Sequence, residues 1–299
     1  MRIAVTGATG LVGQALLGRL KREGDEVVQI TRRRAGTGVV HWSVQDGRID
    51  AAPLEGVDIV VHLAGENIAQ GRWSEAKKAR IRDSRQQGTE LISRTVAGLS
   101  HKPAVLVCAS AVGFYGDRGD EILTEDKPRG SGFLPEVCHR WEGACQPAID
   151  AGIRVVNLRY GMLLSKRDGA LAKMLLPFRL GLGGPIGSGR QWWSWLDIAD
   201  AVGVILHAAR TDSLHGPVNA VAPEVVTNAE FTRSLAKAVH RPAFLPMPAF
   251  AARLALGEMA NDLLLASLRV VPQRLQETGY QFEFPKLDES LASLLAGTR

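Results

Sequence analysis

Ile3-Ala4-Val5-Thr6-Gly7-Ala8-Thr9-Gly10-Leu11-Val12-Gly13 joins an apolar run to a glycine series and then to a helix-like segment, Leu11 to Arg22. Ile3 and Val5 carry the alternation and β-branching of a buried strand. Strand, glycine turn and helix in that order form the unit that receives a dinucleotide. Each glycine has a mechanical task. Gly7 permits the tight turn, Gly10 lets the backbone approach a pyrophosphate, and Gly13 allows helix and strand to pack closely. The helix N-terminus offers unpaired N–H groups and the positive end of its dipole to the phosphates. An ordinary βα turn can also contain glycines. Here the motif precedes an amphipathic helix (Leu16, Leu17, Leu20) and feeds a second strand, Glu26 to Thr31, which favours the dinucleotide site. The residues expected to meet it are Thr6, Gly7, Thr9, Gly10, Leu11, Val12 and Gly13.

The end of the second strand selects the cofactor. An NAD site places Asp or Glu about 20 residues beyond the glycines, where it accepts hydrogen bonds from the ribose 2′-hydroxyl. This chain reads Thr31-Arg32-Arg33-Arg34 instead. A carboxylate would repel a 2′-phosphate, whereas Arg32 can pair with it and Thr31 can add a hydroxyl. The expectation is therefore NADP(H), with Arg32 in contact and Arg33 and Arg34 in a solvated basic loop.

Composition bounds the other classes. With 299 residues, 45% hydrophobic and 22% charged, the chain can bury a large core as a soluble globular protein. Its net charge of +5 is spread along the sequence, and no basic and aromatic block suggests nucleic acid. No apolar run approaches a membrane span, and the first strand begins at Ile3, so cytoplasmic residence without a membrane partner is expected. Cys108, Cys138 and Cys145 show no metal or disulfide spacing, and the 7 histidines form no ligand cluster, so no metal is expected. Cys108 reads as inert packing in a strand; Cys138 and Cys145 are spaced to share one face of a helix.

Further along, strands and helices alternate as an α/β, doubly wound parallel sheet of Rossmann type requires. Strands are expected at Asp58 to Leu63, Ala104 to Ser110 and Arg154 to Leu158. Helices are expected at Ser74 to Ala97, Leu134 to Ala151, Asn228 to Val239 and Leu291 to Ala296, with a helical block from Pro246 to Leu268. Residues 1–160 read as the NADP-binding domain, its sheet completed by strands within 161–240. Residues 241–299 read as a small C-terminal helical domain that joins 161–200 in a smaller mixed substrate region. Because ligands lie at the carboxyl ends of such strands, one groove should gather the glycine turn, Thr31, Arg32, Leu63, Ala64, Gly65, Glu66, Ala109, Ser110 and Tyr160 to Leu163.

At these residues the chain resembles a known family. Thr6-Gly7-Ala8-Thr9-Gly10-Leu11-Val12-Gly13, His62-Leu63-Ala64-Gly65, Ser110-Ala111-Val112-Gly113-Phe114-Tyr115-Gly116 and Trp195-Leu196-Asp197-Ile198-Ala199-Asp200 resemble the extended short-chain dehydrogenases/reductases of the NAD(P)-dependent epimerase/dehydratase class. Ala64 to Ile68, Trp141-Glu142, Leu176 to Gly189 and Asn219 to Pro223 are similar to its atypical branch, the epimerase family proteins. The segments Val271 to Arg274 and Gly279 to Phe282 resemble that branch's small C-terminal domain. The resemblance covers nearly the whole chain and implies a monomer or homodimer acting on a small molecule.

The resemblance also exposes departures. Extended members pair a Tyr acid/base with a Lys four positions on, which lowers the phenol pKa and holds the nicotinamide ribose. Aligning Glu142 with the family's helix glutamate puts Leu134 at the Tyr position and Cys138 at the Lys position. Leu has no proton to exchange, and a thiol supplies no positive charge. Tyr115, Tyr160 and Tyr280 are followed at the Lys position by Gly119, Leu164 and Phe284, so the pair occurs nowhere else.

Ser110 and Tyr115 are the catalytic candidates, Ser110 to orient a carbonyl and Tyr115 as acid/base or as lining of the substrate pocket. His139 and Cys138 are weaker alternatives, as packing or surface residues of a helix. Glu66 is expected to touch the cofactor rather than to act as a base. Arg85, in Arg85-Gln86-Gln87-Gly88-Thr89, stands where the family often has Asn, and it can bind pyrophosphate, ribose or an acidic substrate. Backbone groups of Gly161 and Leu163 are expected over the carboxamide. Pro177 to Trp195, rich in glycine and tryptophan, reads as a substrate loop, with Arg179 or Arg190 available to an anion. Two functions follow: an NADP-dependent oxidoreductase or epimerase on a small carbonyl or sugar-like compound, or an inactive NADP(H)-binding redox sensor.

Overall fold

A computed structural model describes residues 1–32 and 38–296; Arg33 and Arg34 lie outside the described residues. The chain opens with β1 (Arg2–Thr6), α1 (Leu11–Glu23), β2 (Glu26–Thr31), β3 (Val39–Ser43), β4 (Arg48–Ile49), β5 (Ile59–His62), α2 (Glu75–Ala97), β6 (Val105–Ala111) and β7 (Ile122–Leu123). It continues through α3 (Phe133–Gly143), α4 (Gln146–Asp150), β8 (Arg154–Tyr160), β9 (Met162–Leu164), α5 (Gly169–Arg179), β10 (Trp192–Trp193), β11 (Trp195–Asp197), α6 (Ile198–Arg210) and β12 (Gly216–Ala220). Beyond lie β13 (Val226–Thr227), α7 (Asn228–Ala238), α8 (Ala249–Leu256), β14 (Arg269–Val270), α9 (Gln273–Glu277) and α10 (Leu287–Leu295).

Eight strands form one sheet in the order β12-β8-β6-β5-β1-β2-β3-β4, parallel except for the last pair. Successive strand residues point to opposite faces, and both faces are covered. Ile3, Val5, Val61, Val107 and Leu158 pack with Leu16 and Leu20 of α1 and Val204, Ile205 and Ala208 of α6. Ala4, Val60, Leu106 and Cys108 pack on the other side with Ile92 and Val96 of α2 and Ala148 of α4. The fold is thus the doubly wound α/β sheet that the alternation of elements implies.

A further core joins Leu175 and Phe178 of α5, Trp193, Trp195, Phe231 and Leu235 of α7, and Leu287 and Leu291 of α10. Its last helix is fixed by two buried aspartates at the start of α6. Asp200 accepts from Tyr280 OH at 2.9 Å and from the amides of Glu283 and Phe284 at 2.8 and 2.9 Å, while Asp197 accepts from Ser290 Oγ at 2.6 Å.

The expected single helix from Leu134 to Ala151 is divided into α3 and α4. Pro147, in the first turn of α4, has no N–H and its ring would collide with the carbonyl of a continuing α3. Cys145 therefore falls between the helices, and its Sγ lies 3.5 Å from that of Cys108 in the sheet core, not beside Cys138 on a helix face. All three cysteines are buried and free. Among the described residues no helix is long and apolar enough to cross a membrane.

Candidate functional site

The glycine turn leaves no space for side chains. Gly7 sits at φ +67°, and a Cβ there would lie 2.8 Å from the Leu63 carbonyl carbon and 2.9 Å from the Ala64 nitrogen. A Cβ on Gly13 would lie 2.2 Å from the Gly7 oxygen, so α1 reaches the β1 turn only because this position is glycine. Gly10 caps α1 in extended conformation with no side-chain cap, and the first turn holds no acidic residue. The amides of Leu11 and Val12 therefore face an end of the helix that suits an anion. Thr9 is exposed beside them.

Thr6 has a different task from the one expected of it. Its buried hydroxyl accepts from the Leu63 and Ala64 amides at 3.0 and 3.2 Å and meets His62 Nδ1 at 2.8 Å, so its proton is committed to that nitrogen. This latch fixes the loop after β5 against the glycine turn. Burial lowers the His62 pKa to about 4, so the imidazole is neutral, its Nε2 without a hydrogen-bond partner and its ring edge-on to Trp42. The sequence signal was a His at the strand end facing a Thr one strand away, visible only once the β1–β5 register is known.

Arg32 is exposed just beyond β2, next to half-buried Thr31. Across β1, the loop Leu63 to Glu66 leads towards α2. The Glu66 carboxylate is held by Lys77 Nζ at 2.7 Å, which keeps it below the usual carboxylate range and makes it a poor base. Arg85 Nη1 donates to the carbonyls of Glu66 and Ile81 at 3.0 and 3.2 Å, and the guanidinium lies 4.8 Å from the Trp141 ring centroid. Gly65 makes room for it: a Cβ there would be 3.4 Å from Arg85 Cζ.

At the end of β6 both Ala109 and Ser110 are buried, and Ser110 Oγ donates to Glu142 Oε1 at 2.7 Å. Arg159, from β8, clasps the same carboxylate through Nε and Nη2 at 2.8 Å each. Its Nη1 donates to Tyr115 OH at 2.9 Å, and Tyr115 OH donates to Asn219 Oδ1 at 2.7 Å. Tyr115 is 0% exposed, and burial raises its phenol pKa despite the nearby guanidinium. This departs from the expectation of a hydroxyl facing the nicotinamide pocket; Tyr115 is a strut between β6, β8 and β12. The adjoining helix α3 carries the other candidates. Leu134 is buried, the Cys138 thiol is pushed up to about 12 by burial, and His139 lies exposed on the outer surface.

On the far side, Leu163 pairs with Leu196, and the Gly161 amide is taken by the Ala220 carbonyl at 3.2 Å. Gly161 is required by packing, since a Cβ would lie 2.6 Å from the Ser194 oxygen. A Cβ on Gly169 would lie 3.5 Å from Leu11 Cδ2 and 3.7 Å from the Leu163 oxygen, so this segment borders the helix start across the groove. The tryptophan run serves chiefly as structure. Trp195 is fully buried, Trp193 nearly so, and Trp192 Nε1 donates to Asp120 at 2.7 Å, while Arg179 and Arg190 are exposed.

The sequence model of the NAD dependent epimerase/dehydratase family matches residues 3–221, and that of a domain of unknown function, DUF1731, matches 247–294. An epimerase family protein of Mycobacterium bovis is 42% identical over 290 residues, covering 97% of this chain and 96% of that protein. Human epimerase family protein SDR39U1 is 37% identical over 299 residues, covering 99% and 100%. A crystal structure of the human protein (isoform 2) with NADPH superposes with a TM-score of 0.91 at 36% identity, covering 98% of this chain and 99% of that one. A nucleoside-diphosphate sugar epimerase from Corynebacterium glutamicum gives 0.83 at 36% identity, covering 99% of this chain and 58% of that one.

Proposed function

This chain belongs to the NAD dependent epimerase/dehydratase family, and from that premise we propose that it binds NADP(H) and acts as an oxidoreductase or epimerase on a small carbonyl or sugar-like compound. The observation that carries the cofactor reading is the glycine cradle: Gly7 and Gly13 close the turn, and the α1 amides are left without a side-chain cap. Thr9, Gly10, Leu11 and Val12 would hold the pyrophosphate, and Thr31 and Arg32 the 2′-phosphate. Leu63 to Glu66, Arg85, Ala109 and Leu163 would border the nicotinamide half. The relative solved with NADPH supports the same choice. When bound, the nicotinamide supplies or accepts a hydride.

Ser110 is the residue proposed to touch substrate. Its proton points to Glu142, which leaves its lone pairs to accept from a substrate hydroxyl. Glu142, clasped by Arg159, holds that hydroxyl in place. A second reading, a cofactor-binding sensor without turnover, is favoured by the burial of Leu134 and Cys138, which the sequence resemblance aligns with the family's Tyr and Lys. Incubation with NADPH and a panel of carbonyl and nucleotide-sugar compounds, following loss of reduced nicotinamide, separates the two. Turnover abolished in Ser110→Ala supports the enzyme; tight NADPH binding with no turnover on any compound supports the sensor.

A further inference from the structure

Among the described residues Arg85 is a fixed positive charge with no ion-pair partner. Its guanidinium is bonded to two backbone carbonyls, stacked on Trp141 and flanked by Gly65, so it cannot swing away. Among the described residues no carboxylate lies within ion-pair distance of it. The charged groups around it cancel in other pairs: Glu66 with Lys77 and Arg80, and Glu142 with Arg159. Cys138, which interacts electrostatically with Arg85, stays a neutral thiol, and His62 stays neutral imidazole. Burial works against the Arg85 charge and lowers its pKa, and the Glu66 carboxylate, shared with Lys77 and Arg80, relieves it only in part.

Strand order locates this charge. In the sequence β2-β1-β5-β6, Arg32 follows β2, the glycine turn follows β1, and Arg85 lies against the loop after β5 and beside the α3 residue next to Glu142. A dinucleotide with its 2′-phosphate at Arg32 and its pyrophosphate at the glycine turn must extend its nicotinamide towards Arg85. The two redox forms of that ring differ by one positive charge. We infer that Arg85 makes the site discriminate between them, binding the neutral reduced ring of NADPH in preference to the cationic ring of NADP+. The same charge that is missing at Cys138 is thereby supplied from α2. Two unit charges several ångströms apart in a partly screened groove are worth about a tenfold difference in affinity or more.

The inference rests on the NADP(H) reading, and titration of the purified protein with NADPH and with NADP+ separates the two claims. Wild type should bind NADPH about tenfold more tightly or better. In Arg85→Gln the ratio of the two dissociation constants should collapse towards unity, while Arg85→Lys should retain most of it. Glu66→Gln, which removes the negative charge that Arg85 senses, should widen the ratio and does not depend on Arg85→Gln folding. A wild-type ratio near unity overturns the inference. So does an Arg85→Gln protein that loses both forms by the same factor, which would put the guanidinium on the phosphates. Failure of wild type to bind either form would overturn the cofactor reading itself.

Discussion

Arg159 grips both oxygens of Glu142 at 2.8 Å, with the two side chains only 3% and 13% exposed, and the same carboxylate accepts a hydrogen bond from Ser110 Oγ. Removing one member of a buried pair strands the other in low dielectric. Glu142→Ala should cost about 3–5 kcal/mol, while Glu142→Gln, which keeps acceptor and shape, should cost less. Urea denaturation checks this, and a loss under about 1 kcal/mol for the alanine variant would mean that Arg159 finds other partners.

Two glycines of α1 should respond oppositely to the same change. Gly13→Ala forces a methyl to within 2.2 Å of the Gly7 oxygen and should destabilise by about 1–3 kcal/mol or more while abolishing NADPH binding. Gly18, exposed in the middle of the helix with nothing near its Cβ position, should gain about 0.5–1 kcal/mol as alanine with cofactor affinity unchanged. Thermal melts with and without NADPH test both.

Buried His62 should make stability depend on mild acid. Its pKa falls from 6.5 to about 4 on folding, so between those values the unfolded chain binds the extra proton. The contribution is full above pH 6.5, declines as pH falls, and is gone by about pH 4, amounting to about 3 kcal/mol. The stability of wild type relative to His62→Asn should therefore drop over this window; parallel pH curves for the two proteins would show that His62 titrates freely.

Backbone features of the site were legible in the sequence because glycine is the one residue that permits them: Gly7, Gly10 and Gly13 declare a turn, a close approach and a helix start. Strand ends were legible for the same reason that the sheet forms, since apolar runs stop where the groove begins. Side-chain roles were less so. Tyr115 reads as a pocket residue, yet Arg159 and Asn219, distant in sequence, draw its hydroxyl into the core. Thr6 reads as a ligand contact, yet the β1–β5 register gives it two amides and a histidine. Trp195-Leu196-Asp197-Ile198-Ala199-Asp200 marks the family, and its aspartates hold the C-terminal segment, a task no local pattern announces.

The central claim is that an NADP(H) molecule lies across the N-terminal glycine turn with its 2′-phosphate at Arg32. Calorimetric titration of wild type and Arg32→Ala with NADPH and NADH tests it most directly. Arg32→Ala should weaken NADPH by roughly tenfold or more, the worth of charge-assisted hydrogen bonds, and leave NADH nearly unaffected. Equal losses for both nucleotides, or NADH bound by wild type as tightly as NADPH, would contradict it.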